Sequence, residues 1–244
     1  YSKIGSLIIG DNKTPVIMMG NSIFQAALAR LNHLKPAHRL IDRQVMDFGH
    51  LGLPQMQDEI SFNKFHKDIE QIFVIPQTQY YAGGREFKVF NSSAPLGPAV
   101  KNEYPEVIYS ARFAPYQGEM LIRNKDNKFI EQVKFADPDF FQIFSFPFTA
   151  GDEKTPFPQV HSLVLTEKAA QKYFGTENPL GKTLVLNNEF SFVVSGILKD
   201  VPLNSDLVFD VVLPFEFLKE LGVNLDEWFS NAYWTFVKLK PEVN

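Results

Sequence analysis

The sequence predicts an α+β fold in which strands outnumber helices. Strand-like segments recur along the whole chain, the helical segments between them are short, and phenylalanine is dense, at 24 of 244 residues. Rings at that density predict a core of sheet faces packed against short helices.

In chain order, residues 4–9 and 15–19 read as strands around Asp11-Asn12-Lys13. A helix over 22–34, capped by Asn21 or Ser22 and stopped at Pro36, carries Ile23, Ala27, Leu31 and Leu34 at helical spacing. A strand over 70–81 turns at Gly83-Gly84 into 85–90 and leads to a helix at 94–104, so strand-turn-strand-helix occurs twice. Strands follow at 107–113, 118–124 and 128–135. Asp137-Pro138-Asp139 predicts a helix start at 140–144, with Asp137 as cap and Pro138 in the first turn. Residues 150–159 read as a polar loop, and 161–165 as a strand ending at Thr166, which caps a helix over 167–174 closed by Gly175. A hairpin at 183–187 and 190–198, a strand at 207–213, a helix at 215–221 and a strand at 232–240 complete the chain.

Composition removes several functions. The 24 basic and 28 acidic residues give net −4 without a basic cluster, which argues against nucleic acid as a partner. Cysteine is absent, so disulfides, zinc-thiolate sites and thiol nucleophiles are excluded. The longest apolar runs, Leu7-Ile8-Ile9 and Val16-Ile17-Met18-Met19, fall short of the ~20 residues of a membrane span. With Tyr1 in first place and no signal peptide, the sequence reads as a piece of a longer protein whose anchor lies outside it.

Catalytic chemistry finds little support. Gly175 to Thr183 resembles a phosphate-binding loop, but it follows a helix and precedes a strand, the reverse of the order that aims helix amides at a phosphate. His33, His38, His50, His66 and His161 lack metal-ligand spacing and read as scattered surface or interface residues. Ser195 and Ser205 have no legible base. No metal or cofactor is expected. In the aromatic stretch 140–148, most rings read as core, and Phe141, Phe146 and Phe148 stand as candidates for partner contact.

The order of several segments resembles the periplasmic core domain of MacB/FtsX-type ABC-transporter permeases, in the form common in Bacteroidetes. They are Ser61-Phe62-Asn63-Lys64-Phe65-His66-Lys67-Asp68, Tyr104-Pro105-Glu106-Val107, and above all Phe135-Ala136-Asp137-Pro138-Asp139-Phe140-Phe141 continuing to Phe148. Leu163-Val164-Leu165-Thr166-Glu167-Lys168, Asn178-Pro179-Leu180-Gly181-Lys182 and Val194-Ser195-Gly196-Ile197-Leu198-Lys199-Asp200-Val201-Pro202 extend the resemblance. It covers about 59–244 and leaves 1–58 unmatched, to be read as a variant of the family, an added ββα unit or a consequence of how the piece was cut.

The resemblance implies a two-lobed domain, with one lobe of 59–118 and 189–244 and an inserted lobe of 119–188. It implies a noncatalytic, periplasm-facing part of an inner-membrane transporter, with ATP bound and hydrolysed by a separate cytoplasmic subunit or domain. Implied partners are the transporter's own membrane helices, that ATPase subunit, a periplasmic adaptor or lipoprotein, and a second copy in a dimer. If so, both ends of the matched region lie on one side of the fold. The alternative is a stand-alone extracytoplasmic sensor or ligand-binding module, which requires an enclosed pocket.

Overall fold

A computed structural model describes residues 63–81, 85–115, 118–125 and 127–241. The elements expected at 4–9, 15–19 and 22–34, the first copy of the apparent repeat, and the turn at Gly83-Gly84 lie outside the described residues. The described chain is α+β, with strands dominant and helices short.

The segment expected as one strand from 70 to 81 is three pieces. A 3₁₀ turn, Ile69–Gln71, leads into β1 (Ile72–Val74), and the chain then leaves for a separate ribbon of β2 (Gln77–Tyr81) and β3 (Arg85–Val89). Pro76 sits at the break, and a residue without an N–H cannot continue the ladder. The short β4 (Asn91–Ser92) and helix α1 (Leu96–Glu103) follow, then β5 (Val107–Ala114).

The hairpin β6 (Glu119–Asn124) and β7 (Asn127–Ala136) carries the chain past the end of β5, because only Ala136 and Phe135 of β7 pair with Phe113 and Ala114. Helix α2 (Phe140–Ile143) returns across β5. Next come β8 (Phe148–Gly151), β9 (Ser162–Thr166), α3 (Glu167–Phe174), β10 (Thr183–Leu186) and β11 (Phe190–Leu198). Then β12 (Val211–Pro214), a 3₁₀ turn Phe215–Lys219 and β13 (Tyr233–Leu239) complete the fold.

Six of these strands close on themselves. β7 pairs with β12, β12 with β9, β9 with β11, β11 with β10, β10 with β6, and β6 with β7. Every strand sends alternate residues inward, as the two-residue period of a strand requires. Met120 and Ile122, Val133 and Phe135, Leu163 and Leu165, Leu184 and Leu186, Phe192 and Val194, and Val211 and Leu213 form one core, joined by Tyr173, Phe215 and Phe217. Residues of the expected inserted lobe, 119–188, thus share one core with residues of the lobe expected at 59–118 and 189–244. The ring takes strands from both sides of that boundary.

β5, β13 and β1 extend the sheet beyond the ring. On one face Phe113, Phe140, Phe144, Phe146, Phe209 and Phe236 pack with Val164 and Val212, the outward residues of β9 and β12. On the other, Val237 and Leu239 of β13 meet Val100 and Tyr104 of the α1 segment.

Three expectations change. Residues 148–151, part of which read as loop, form β8 on the edge of β11, where Gly151 faces Gly196. A Cβ on Gly196 would lie 2.6 Å from the Phe148 ring, so this approach excludes a side chain. The strand expected at 207–213 starts only at Val211, because Ser205 Oγ bonds the Leu207 carbonyl and Asp206 is held by Asn63. Asp137 caps no helix. The N-cap of α2 is Asp139, without a side-chain capping bond, and the Asp137 carboxylate is engaged elsewhere.

Candidate functional site

The two ends of the described chain meet at one pole of the molecule. Ile72, the first residue of β1, is the ladder partner of Lys238 near the end of β13. Lys238 Nζ reaches the Asp68 carboxylate at 3.0 Å, and the Lys240 amide donates to the Glu106 carbonyl at 3.0 Å. The ring hairpin β6–β7 points the other way, beyond the far end of β5.

The leading segment is clamped onto the domain. The Asn63 amide donates to the Asn204 carbonyl at 2.9 Å. Its side chain donates to Asp206 Oδ2 at 2.7 Å and accepts from the Asp206 amide at 3.0 Å. Three residues on, His66 was expected at a surface or interface, but it is buried among Phe65, Phe144 and Phe146, with ring centroids 4.0, 5.0 and 5.2 Å away. Its Nδ1 accepts from the Ser145 amide at 3.1 Å, so the neutral ring carries its proton on Nε2, which is buried without a partner among the described residues. Burial lowers the imidazole from its usual 6.5 to about 4, because the charged form would lose its water.

A second polar centre joins distant elements. Arg112 is 6% exposed and donates from its amide, Nε and Nη2 to the Asp137 carboxylate, each at 2.8 Å. Nη2 also reaches Glu216 Oε1 at 2.8 Å, and the guanidinium lies 4.2 Å from the Phe215 ring centroid. Burial alone would lower the Arg112 pKa, but the two carboxylates outweigh it and raise it. Arg112 was not singled out in the sequence, although a lone charge between Ala111 and Phe113 in an apolar strand is a visible signal.

The expected contact rings fall differently. Phe141 and Phe146 are 1% and 2% exposed, so a partner-contact role has no surface to act through in this fold. Phe148 is half-buried against the ring of Phe141, at a centroid separation of 5.2 Å. Periodicity alone could not separate them, because burial here comes from β13 and the 198–209 region, far away in sequence.

The serines and the glycine loop have structural roles. Ser195 Oγ donates to the Pro156 and Leu163 carbonyls, and Ser205 bonds within its own turn. In the glycine loop, the Gly181 amide donates to the Val194 carbonyl at 2.8 Å, and Lys182 pairs with Glu177. His161 bonds Glu220 at 2.8 Å, and among the described residues no group of three His, Asp or Glu could hold a metal ion. Two depressions, one lined by Thr149 and Gln171 and one by Gly97 and Arg112, of about 330 and 280 Å³, are open to solvent rather than enclosed. No helix of the described residues is long and apolar enough to cross a membrane.

A family model described as the MacB-like periplasmic core domain matches residues 55–244. No curated protein matches the chain. Among solved structures, a domain of a permease protein from Porphyromonas gingivalis superposes with a TM-score of 0.61 and 23% identity, over 71% of this chain and 75% of that one. The periplasmic region of MacB from Actinobacillus actinomycetemcomitans gives 0.49 and 20%, over 64% and 68%. The extracellular domain of the noncanonic ABC-type transporter YknZ from Gram-positive bacteria gives 0.48 and 16%, over 70% and 83%. The Porphyromonas domain has the same fold.

Proposed function

This chain belongs to the MacB-like periplasmic core domain family, and from that premise we propose that it is a noncatalytic coupling element of an ABC-transporter permease. In this reading, ATP is bound and hydrolysed by a separate cytoplasmic subunit. The domain faces the periplasm, takes up movement from the membrane helices, and passes it to a substrate, adaptor or lipoprotein, as one of two copies. Such coupling needs an element with two arrangements that both ends of the machine can bias.

One observation carries the reading: the first and last strands of the described residues, β1 and β13, pair with each other, so the described chain begins and ends on one side of the sheet. Force arriving at that pole acts on hydrogen-bonded strands in shear, and the ladder hands it to the whole sheet. An enzyme would need a reactive group aimed into a cleft. Here the serines named above donate to backbone carbonyls, and Arg112 is held by two carboxylates.

The same geometry supplies the test. Ladder partners lie about 5 Å apart, so a short Gly-Ser linker can replace residues 72–238 in the parent permease without moving its membrane segments. ATP hydrolysis by the complex is expected to persist while export stops. Export at the normal rate without the domain would overturn the proposal.

A further inference from the structure

The described segment ahead of β1 is tied to the body by a short set of bonds. The Asn63 amide donates to the Asn204 carbonyl, and both ends of its side chain hold Asp206. The Lys67 amide donates to Ser145 Oγ at 2.8 Å, and Asp68 pairs with Lys238. Between these ties, His66 Nδ1 accepts from the Ser145 amide. Asn63 and Asp68 stand at φ 57° and 55°, in the left-handed region. Residues other than glycine stay there only while surrounding contacts hold them. Lys64, Lys67 and Asp68 are exposed, so within 63–68 the apolar hold comes from the rings of Phe65 and His66.

The place of the His66 ring accepts one charge state. Imidazolium has two N–H donors and no acceptor. A proton on Nδ1 would face the Ser145 amide, itself a donor. Nε2 has no partner among the described residues, and the ring is walled by Phe65, Phe144 and Phe146. A charge placed there has lost its water and gained no acceptor. The facing stretch 140–148 contains no charged residue. On the ring's own side Lys64, Lys67 and Glu70 are exposed, Asp68 is engaged by Lys238 of β13, and Asp206 by Asn63. Neither aspartate pairs with His66, so burial sets the weak proton affinity of the ring.

We propose that residues 63–68 form an acid-released strap, in which protonation of His66 lifts the segment off Ser145 and Asp206 while the sheet stays folded. Local release is favoured because the bonds it breaks belong to the strap. Phe144 and Phe146 keep their packing on Phe140, Phe209 and Phe236. Six freed residues extend about 20 Å, which introduces slack between residues 1–62 and β1. The strap invokes only the proton, so it stands or falls apart from the transporter reading. Strapped, the ring titrates at about 4, against 6.5 when free. Acid therefore favours release below pH 6.5, by about 30-fold at pH 5 relative to pH 7.5, and the effect levels off below about 4.

Native-state hydrogen exchange on the full chain tests this through the amides of Asn63, Lys67 and Ser145, with the ladder amides of β12 reporting whole-domain opening. At pH 7.5 the three strap amides are expected to exchange faster than those of β12. Low urea should leave their opening nearly unchanged, because little surface is exposed. At pH 5, corrected for intrinsic rates, their protection should fall by about 30-fold. His66→Gln keeps an acceptor for the Ser145 amide but does not titrate, and it should abolish the fall.

Strap amides that match β12 in rate and urea dependence overturn the proposal, because His66 then titrates only as the whole domain unfolds. An acid response that survives in His66→Gln overturns it as well, since another group then drives the opening. Should that variant not fold, nitrogen NMR of the His66 ring in the wild type decides. A midpoint well below 6.5 supports the strap, and an ordinary midpoint overturns it.

Discussion

At Arg112, a guanidinium cut off from water meets carboxylates from the loop before α2 and from the 3₁₀ turn after β12. Removing one partner of such a pair leaves an uncompensated buried charge. Asp137→Ala is therefore expected to cost about 3 kcal/mol or more in urea unfolding. Glu216→Gln should cost distinctly less, because that side chain is 44% exposed and water can replace it. His66 supplies a pH signature. Its folded pKa of about 4 lies below the ordinary 6.5, so between these values the unfolded chain binds a proton that the folded chain refuses. Stability is then full above pH 6.5, falls as pH drops through the window, and levels off below about 4. The total is about 3 kcal/mol. Comparing unfolding curves of the wild type and His66→Gln at pH 7 and pH 4.5 isolates it, and equal slopes for the two proteins would refute the assignment.

At the scale of elements, local chemistry was readable wherever a few adjacent residues decide the outcome. Thr166 caps α3 as expected, accepting from the Ala169 amide at 3.2 Å, and Gly175 ends the helix at φ 60°. Asp137 misled because its carboxylate had two possible uses, and a buried arginine 25 residues earlier took it. β8 was invisible because its partner among the described residues, β11, lies more than 40 residues on. At that contact Gly151 has φ +92°, and a Cβ there would sit 2.4 Å from the Ser195 carbonyl oxygen. Gly151→Ala is expected to destabilise the domain by about 3 kcal/mol, read as a fall in the urea midpoint. An unchanged midpoint would mean that β8 does not pack as described.

For the molecule as a whole, the ring and the phenylalanine layer share strands. Leu163 and Leu165 point into the ring while Val164 points into the layer, and Val211 and Leu213 divide from Val212 in the same way. Neither core can open without stripping a face from the other, so both should melt together. In a Trp228→Phe background, Trp234 reports on the phenylalanine layer, and a Phe192→Trp ring reports on the barrel interior. Coincident urea transitions are expected from the two probes. Two separate transitions would show that the ring and the phenylalanine layer unfold independently.

What the sequence determined by itself is the α+β class, most element positions, the capping of α3 and the family resemblance. Each depends on residue order and on side-chain periodicity within a few turns or strand repeats, and these are local quantities. Tertiary structure alone decided the closure of six strands into a ring, the fate of Phe141 and Phe146, the Arg112 centre, and the meeting of Asn63 with Asp206, 143 residues apart. Those outcomes follow from the register of strands joined across long loops. A one-residue slip reverses which side chains face the core, and nothing in a short stretch of chain records which partner will arrive.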